Sequence, residues 1–210
     1  KKTAFVKEKL FDYISAMNRK IDYDVLQFNS ETSRIQNASL ELDSFGLKLY
    51  GVPVVFLSDS QNVFIYPKNE QLMVKKGMDF NFSGRVHAGS FDFYAKKCEF
   101  SYNQFKLGMP IIDSMSFMVQ SFETNDAGER YPVKVKNVIS DLGGDLYIDD
   151  PNNKSGLMPF PNYPIFNSTK DAYVYYDKPS IFNRIYNREK FYFYVKIIFW
   201  GRFFAELLRS

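Results

Sequence analysis

Cysteine, histidine and tryptophan occur once each in the 210 residues, and these scarcities exclude more chemistry than any motif asserts. One Cys permits no internal disulfide, and one His beside one Cys leaves no set of soft ligands for a zinc, copper or haem centre. A surplus of one charge is lacking too: 27 Lys and Arg against 24 Asp and Glu give 27 − 24 = +3, too little to imply a nucleic-acid partner. No apolar run reaches the roughly 18–20 uninterrupted residues of a membrane span. The densest, from Ile197 to Leu208, is broken by Arg202 and Glu206, so no transmembrane segment is expected. A Gly-rich phosphate loop, HExxH, CxxC and GxSxG are all missing, and with them the usual grounds for expecting an enzyme or a cofactor.

Aromatic residues are what the chain has in quantity, 22 Phe and 15 Tyr. At 45% hydrophobic and 24% charged, it belongs with globular chains that bury a sizeable core. It begins at Lys1 with no apolar leader, and reads as an excised piece of a longer protein.

Three stretches follow from the patterning. Over residues 1–22, Val6, Leu10, Tyr13, Ile14, Met17 and Ile21 recur every three or four positions and predict one amphipathic helix. Its polar face, with Lys7, Glu8, Asp12 and Arg19, reads as a solvated surface. From 23 to 195 the period becomes two. Leu40, Leu42, Phe45, Leu47 and Leu49 alternate with polar residues, and many short segments rich in Phe, Tyr and Val follow, punctuated by Pro, Gly, Asn, Asp and Lys. Residues 196–210 form an apolar tail of different texture, and the sequence leaves open whether it is a native continuation.

Short strands at regular spacing predict a mainly β domain, and two features favour a β-solenoid-like, parallel β-helix architecture over the alternative, an antiparallel β-sandwich. The first is the stretch Phe82-Ser83-Gly84-Arg85-Val86-His87-Ala88-Gly89, whose small residues suit tight corners between stacked coils. The second is a weak internal echo. Leu42, Phe45 and Leu47 match Tyr102, Phe105 and Leu107 at an offset of 60, and Pro53 with Asp59-Ser60 is echoed by Pro110 with Asp113-Ser114 at 57 and 54.

Few residues invite a chemical reading. Asp149, Asp150 and Asn152, in the loop ending at Gly156, are weak candidates for a hard cation such as Ca²⁺, because clustered carboxylates and amides supply oxygen ligands. The spacing is not that of an EF-hand, and a structural turn is the plainer reading. His87 and Cys98 could pair as base and nucleophile, but no third group orients the His, and a lone Cys is usually a small buried hydrophobe. The aromatics could stack on sugars; their alternation with polar residues argues instead that they fill one face of a sheet. The pairs Lys75-Lys76 and Lys96-Lys97 read as guards of strand ends.

Several phrases together resemble a family of very large, uncharacterised, β-rich bacterial proteins. They are Leu57-Ser58-Asp59-Ser60-Gln61 running into Ile65-Tyr66-Pro67, the Phe82-Ser83-Gly84 turn with Phe91-Asp92-Phe93-Tyr94, Ile112-Asp113-Ser114, Leu146-Tyr147-Ile148-Asp149 with Pro151-Asn152-Asn153-Lys154-Ser155-Gly156, and Tyr186-Asn187-Arg188. The likeness runs from about Ala38 to Val195. The family carries no assigned activity or catalytic residue. What the resemblance implies is a fragment of a long, structural protein of the cell envelope. The short regular strands, the weak echo and the missing catalytic motifs point to a non-catalytic structural or interaction segment of a larger scaffold-type protein, meeting the rest of its parent protein or protein partners through β edges. The alternatives kept beside it are a carbohydrate-binding module and a glycan-active enzyme on a β-helix.

Overall fold

The period-two segments do become strands, but several that the spacing separates are joined. In the computed structural model, residues 26–31, 36–137, 139–140, 142–170, 172–175 and 192–195 are described. The helix expected over 1–22 and the tail 196–210 lie outside them. In chain order the strands are β1 (Ala38–Glu41), β2 (Gly46–Leu49), β3 (Val55–Ser58), β4 (Val63–Pro67), β5 (Leu72–Val74), β6 (Phe80–Ala88) and β7 (Phe91–Ser101). They continue with β8 (Lys106–Thr124), β9 (Arg130–Asn137), β10 (Ile139–Ser140), β11 (Gly144–Tyr147), β12 (Ile165–Ser168), β13 (Ala172–Tyr175) and β14 (Tyr192–Val195). A 3-10 turn at Lys68–Glu70 is the one helical element among the described residues.

Eleven strands form one sheet, with the order β1-β2-β5-β6-β7-β8-β11-β12; β3 and β4 join it through β6, and β9 joins through β8. A small second sheet runs β10-β13-β14. Every pairing among the described residues is antiparallel. The expected parallel β-helix is therefore wrong, since its coils would stack parallel strands. The sandwich alternative is replaced as well, because the eleven strands are hydrogen-bonded in one sheet rather than divided between two facing layers.

The departure from a coil has a local cause. Gly84 and Pro110, of the residue types that make corners, lie inside strands at irregularities of register. Gly84 sits within β6 at φ +151°, where the register against β7 shifts after Phe82. A Cβ there would stand 2.2 Å from the Tyr66 carbonyl oxygen, so only glycine lets β4 approach. Pro110, which has no N–H to give, lies in β8 where the register against β7 is repeatedly shifted around Ala95–Glu99. The tight corner at Gly89-Ser90 is a two-residue hairpin loop between Ala88 and Phe91, with Gly89 at φ +61°.

The core follows from register. Leu40, Leu47, Val74, Phe80, Phe100, Leu107, Leu146 and Phe166 are successive cross-strand partners from β1 to β12. The last five are essentially fully buried. A second buried row, Val55, Ile65, Val86, Phe93 and Met115, crosses β3, β4, β6, β7 and β8. Each such side chain contributes about 1.5–3 kcal/mol by leaving water. Phe93 of β7 stacks on Phe166 of β12 with ring centroids 4.9 Å apart. Three strand spacings of roughly 4.8 Å separate β7 from β12 in a flat sheet, so the sheet must curl until its apolar face meets itself. The bulges in β6, β7 and β8 supply that bend.

Candidate functional site

One position beyond the second buried row, alternation turns the next side chains to the opposite face. Phe56, Phe64, His87, Asp92 and Ser116 are cross-strand partners over β3, β4, β6, β7 and β8. Tyr66, Arg85, Tyr94 and Ser114 make a parallel row beside them. The outer face is thus aromatic at one end and charged at the other.

Asp92 is its centre. It is only 7% exposed, and its carboxylate accepts from His87 Nδ1 at 2.8 Å and Lys134 Nζ at 2.7 Å. Arg85 Nη1 is 3.8 Å away, and Ser116 Oγ donates at 3.5 Å. Burial alone would push the Asp92 carboxyl up; the hydrogen bonds from Lys134 and His87, with their electrostatic attraction, outweigh it and hold the group below the ordinary carboxylate value. The same carboxylate holds the Lys134 ammonium above its ordinary value. Arg85 in turn lies over the Tyr66 ring, 3.8 Å from its centroid.

The His87 tautomer follows from its other side. Asn62 Nδ2 donates to the Gly89 carbonyl at 3.2 Å, which fixes the amide so that an N–H also faces His87 Nε2 at 3.3 Å. Nε2 is then the acceptor, and Nδ1 carries the proton donated to Asp92. The ring stacks on Phe64 at 4.4 Å. His87, Asp92 and Ser116 are the residue types of an acyl-transfer triad, but their order differs. The carboxylate stands between His and Ser, so the imidazole faces no nucleophile. The arrangement anchors a carboxylate across three strands.

His87 and Cys98 are not brought together. Cys98 pairs with Phe82, six positions along β7 from the His87 partner Asp92, or roughly 20 Å. The thiol is fully buried, and burial pushes it up to about 12.

The loop after β11 places its three candidates apart in function. Asp149 is fully buried, and its oxygens accept from Gln61 Nε2 at 3.2 Å, Asn153 Nδ2 at 3.0 Å and the Asp150 backbone N–H at 2.8 Å. Burial raises its carboxyl above the ordinary value, more than those donors lower it. Asp150 Oδ1 accepts from the Asn152 N–H in a local turn, while Asn153 closes the loop by bonding both backbone groups of Met158. The Asp149 oxygens thus face N–H donors, and no group of three or more His, Cys, Asp or Glu that could hold a metal ion exists among the described residues. Gln61 is the long-range partner of this loop, and no local sequence pattern links positions 61 and 149.

No family model matches the chain, and neither the curated proteins nor the solved structures compared with it give a match.

Proposed function

We propose that the chain is a non-catalytic structural or interaction segment of a larger scaffold-type protein, joining protein partners through an open sheet edge. The observation that carries this reading is the β1–β2 hairpin. Among the described residues β1 has one strand neighbour, and its Leu40 is the outermost member of the core row that ends at Phe166. Leu40 is 56% exposed, and Leu42 and Phe45 of the same hairpin are 73% and 67% exposed. A further strand laid against β1 would pair with its outer backbone groups and extend the apolar row by one member. Lys, the residue that commonly blunts such an edge, is missing from β1 itself. Placement in the cell envelope rests on the resemblance alone.

Light scattering on a sizing column over a range of concentrations tests this. Mass that grows with concentration, and that Leu40→Lys returns to the monomer value, is the expected result. A constant monomer mass for the parent chain overturns self-pairing at this edge and describes a self-capped domain. The second reading, a carbohydrate-binding module, has its own observation.

A further inference from the structure

We propose that the cleft beside Phe56 binds a saccharide, with the C–H face of a pyranose ring on the Phe56 ring and its hydroxyls on the polar wall opposite. This rests on observations independent of the β1 edge.

The cleft holds about 670 Å³, within the range of about 300–1,000 Å³ in which small ligands are buried. One wall is an extended segment with strict alternation. Leu26, Phe28 and Ser30 turn inward: Leu26 is buried, Phe28 packs edge-on against Phe80 at 5.6 Å, and Ser30 Oγ donates to the Tyr50 carbonyl at 2.7 Å. That leaves Gln27, Asn29 and Glu31 in the cleft as a comb of amides and a carboxylate. The segment is pinned by the Glu31 N–H on the Gly51 carbonyl at 2.7 Å. The facing wall is β3 and its turn, with Phe56 and Asp59.

Phe56 is 56% exposed, yet it is held by Phe64, whose centroid lies 5.7 Å away at 43°. Phe64 and Tyr66 meet nearly at right angles, so the outer aromatics pack on one another rather than forming a flat platform. Among the described residues Phe56 alone presents an open ring to the cleft, which fits a short saccharide stacked at one position.

Charge narrows the ligand class. Glu31, Asp59 and Lys154 all line the cleft, and the Lys154 ammonium is already engaged, donating to the Pro151 carbonyl at 2.5 Å and lying over the Tyr102 ring. Among the described lining residues two carboxylates stand against one engaged ammonium, a balance that disfavours phosphates and acidic polymers. Carboxylates and amides that accept and donate in bidentate fashion, set against one apolar ring, suit a neutral polyol.

The test is an amide-resolved NMR titration of the full chain with cellotetraose, chitotetraose and maltotetraose in turn, with tetralysine as a fourth arm. Saturable shifts confined to residues 27–31, 56–60 and 154–156 with at least one saccharide are expected. Phe56→Ala should weaken that binding about tenfold, the value of one lost ring contact. Because Phe56 is largely exposed, an unchanged melting temperature for the variant separates loss of contact from loss of fold. A panel in which no saccharide shifts these amides overturns the proposal, as does binding indifferent to Phe56→Ala. Shifts with tetralysine alone overturn it in favour of a cationic peptide.

Discussion

Asp92 concentrates the charge chemistry of the outer face in one nearly buried carboxylate. Its folded pKa lies below the ordinary value of 3.8, so its contribution is fully present above that value and is lost as pH falls through the lower folded one. Asp149 works with the opposite sign. Its folded pKa is raised, so stability falls as pH rises between the ordinary and the folded value. Replacing Asp92 by Asn should cost about 1–3 kcal/mol at neutral pH, since His87 and Lys134 lose a charged acceptor. It should also flatten the acid limb of a plot of urea midpoint against pH, leaving the Asp149 slope exposed, so that the variant gains stability on mild acidification. An acid limb as steep as that of the parent chain would remove Asp92 from this role. The cluster was half legible. Alternation puts Arg85 with His87, and Asp92 with Tyr94, on one face as soon as Gly89-Ser90 is taken as a hairpin turn, whereas the reach of Lys134 from β9 depends on a pairing that no local pattern announces.

At the scale of elements, the internal echo has a structural meaning different from a repeated coil. Residues 42–45 and 102–105 are both four-residue turns between antiparallel strands, each ending on a Phe with positive φ, Phe45 at +52° and Phe105 at +49°. Residues 59–62 repeat the device with Asn62 at +54°. The offset thus recorded turn chemistry. A bulky side chain in the left-handed region costs about 1–2 kcal/mol, which Asn largely avoids. Phe45→Asn should therefore raise stability by up to about 1 kcal/mol, because Phe45 is exposed and gives up little packing. Phe105→Asn should lower it by about 3 kcal/mol or more, because Phe105 is 3% exposed and packs on Phe100. Urea unfolding of both variants checks the pair, and equal effects would show that the turn geometry does not set the difference. Strand existence was legible from alternation, and strand length was not. A bulge such as that at Gly84 breaks the period without ending the strand, so β6, β7 and β8 read as twice as many pieces.

For the whole molecule, the decisive contact is the one that closes the curl. Phe166 ends the long core row and meets Phe93 across the concave face. Phe166→Ala should cost about 3–5 kcal/mol, and should increase the binding of a hydrophobic dye before the unfolding midpoint, because the faces it joins would part. Loss of stability without dye binding would mean the curl survives on other contacts. The apolar row was written in the sequence as alternating Phe and Leu, yet the strand order could not be. The chain leaves β2, makes β3 and β4, and only then returns as β5 to pair with β2; β8 likewise waits past β9 and β10 for β11. That ordering has a kinetic consequence. The β6-β7-β8 meander closes through short hairpin loops and suits early formation, whereas β1 and β2 gain their place only after a long loop has closed. A flank that docks late is also the one that opens at least cost. Brief detachment of the β1–β2 hairpin would then bare the edge of β5 that pairs with β2, Leu72–Val74, without disturbing the meander behind it.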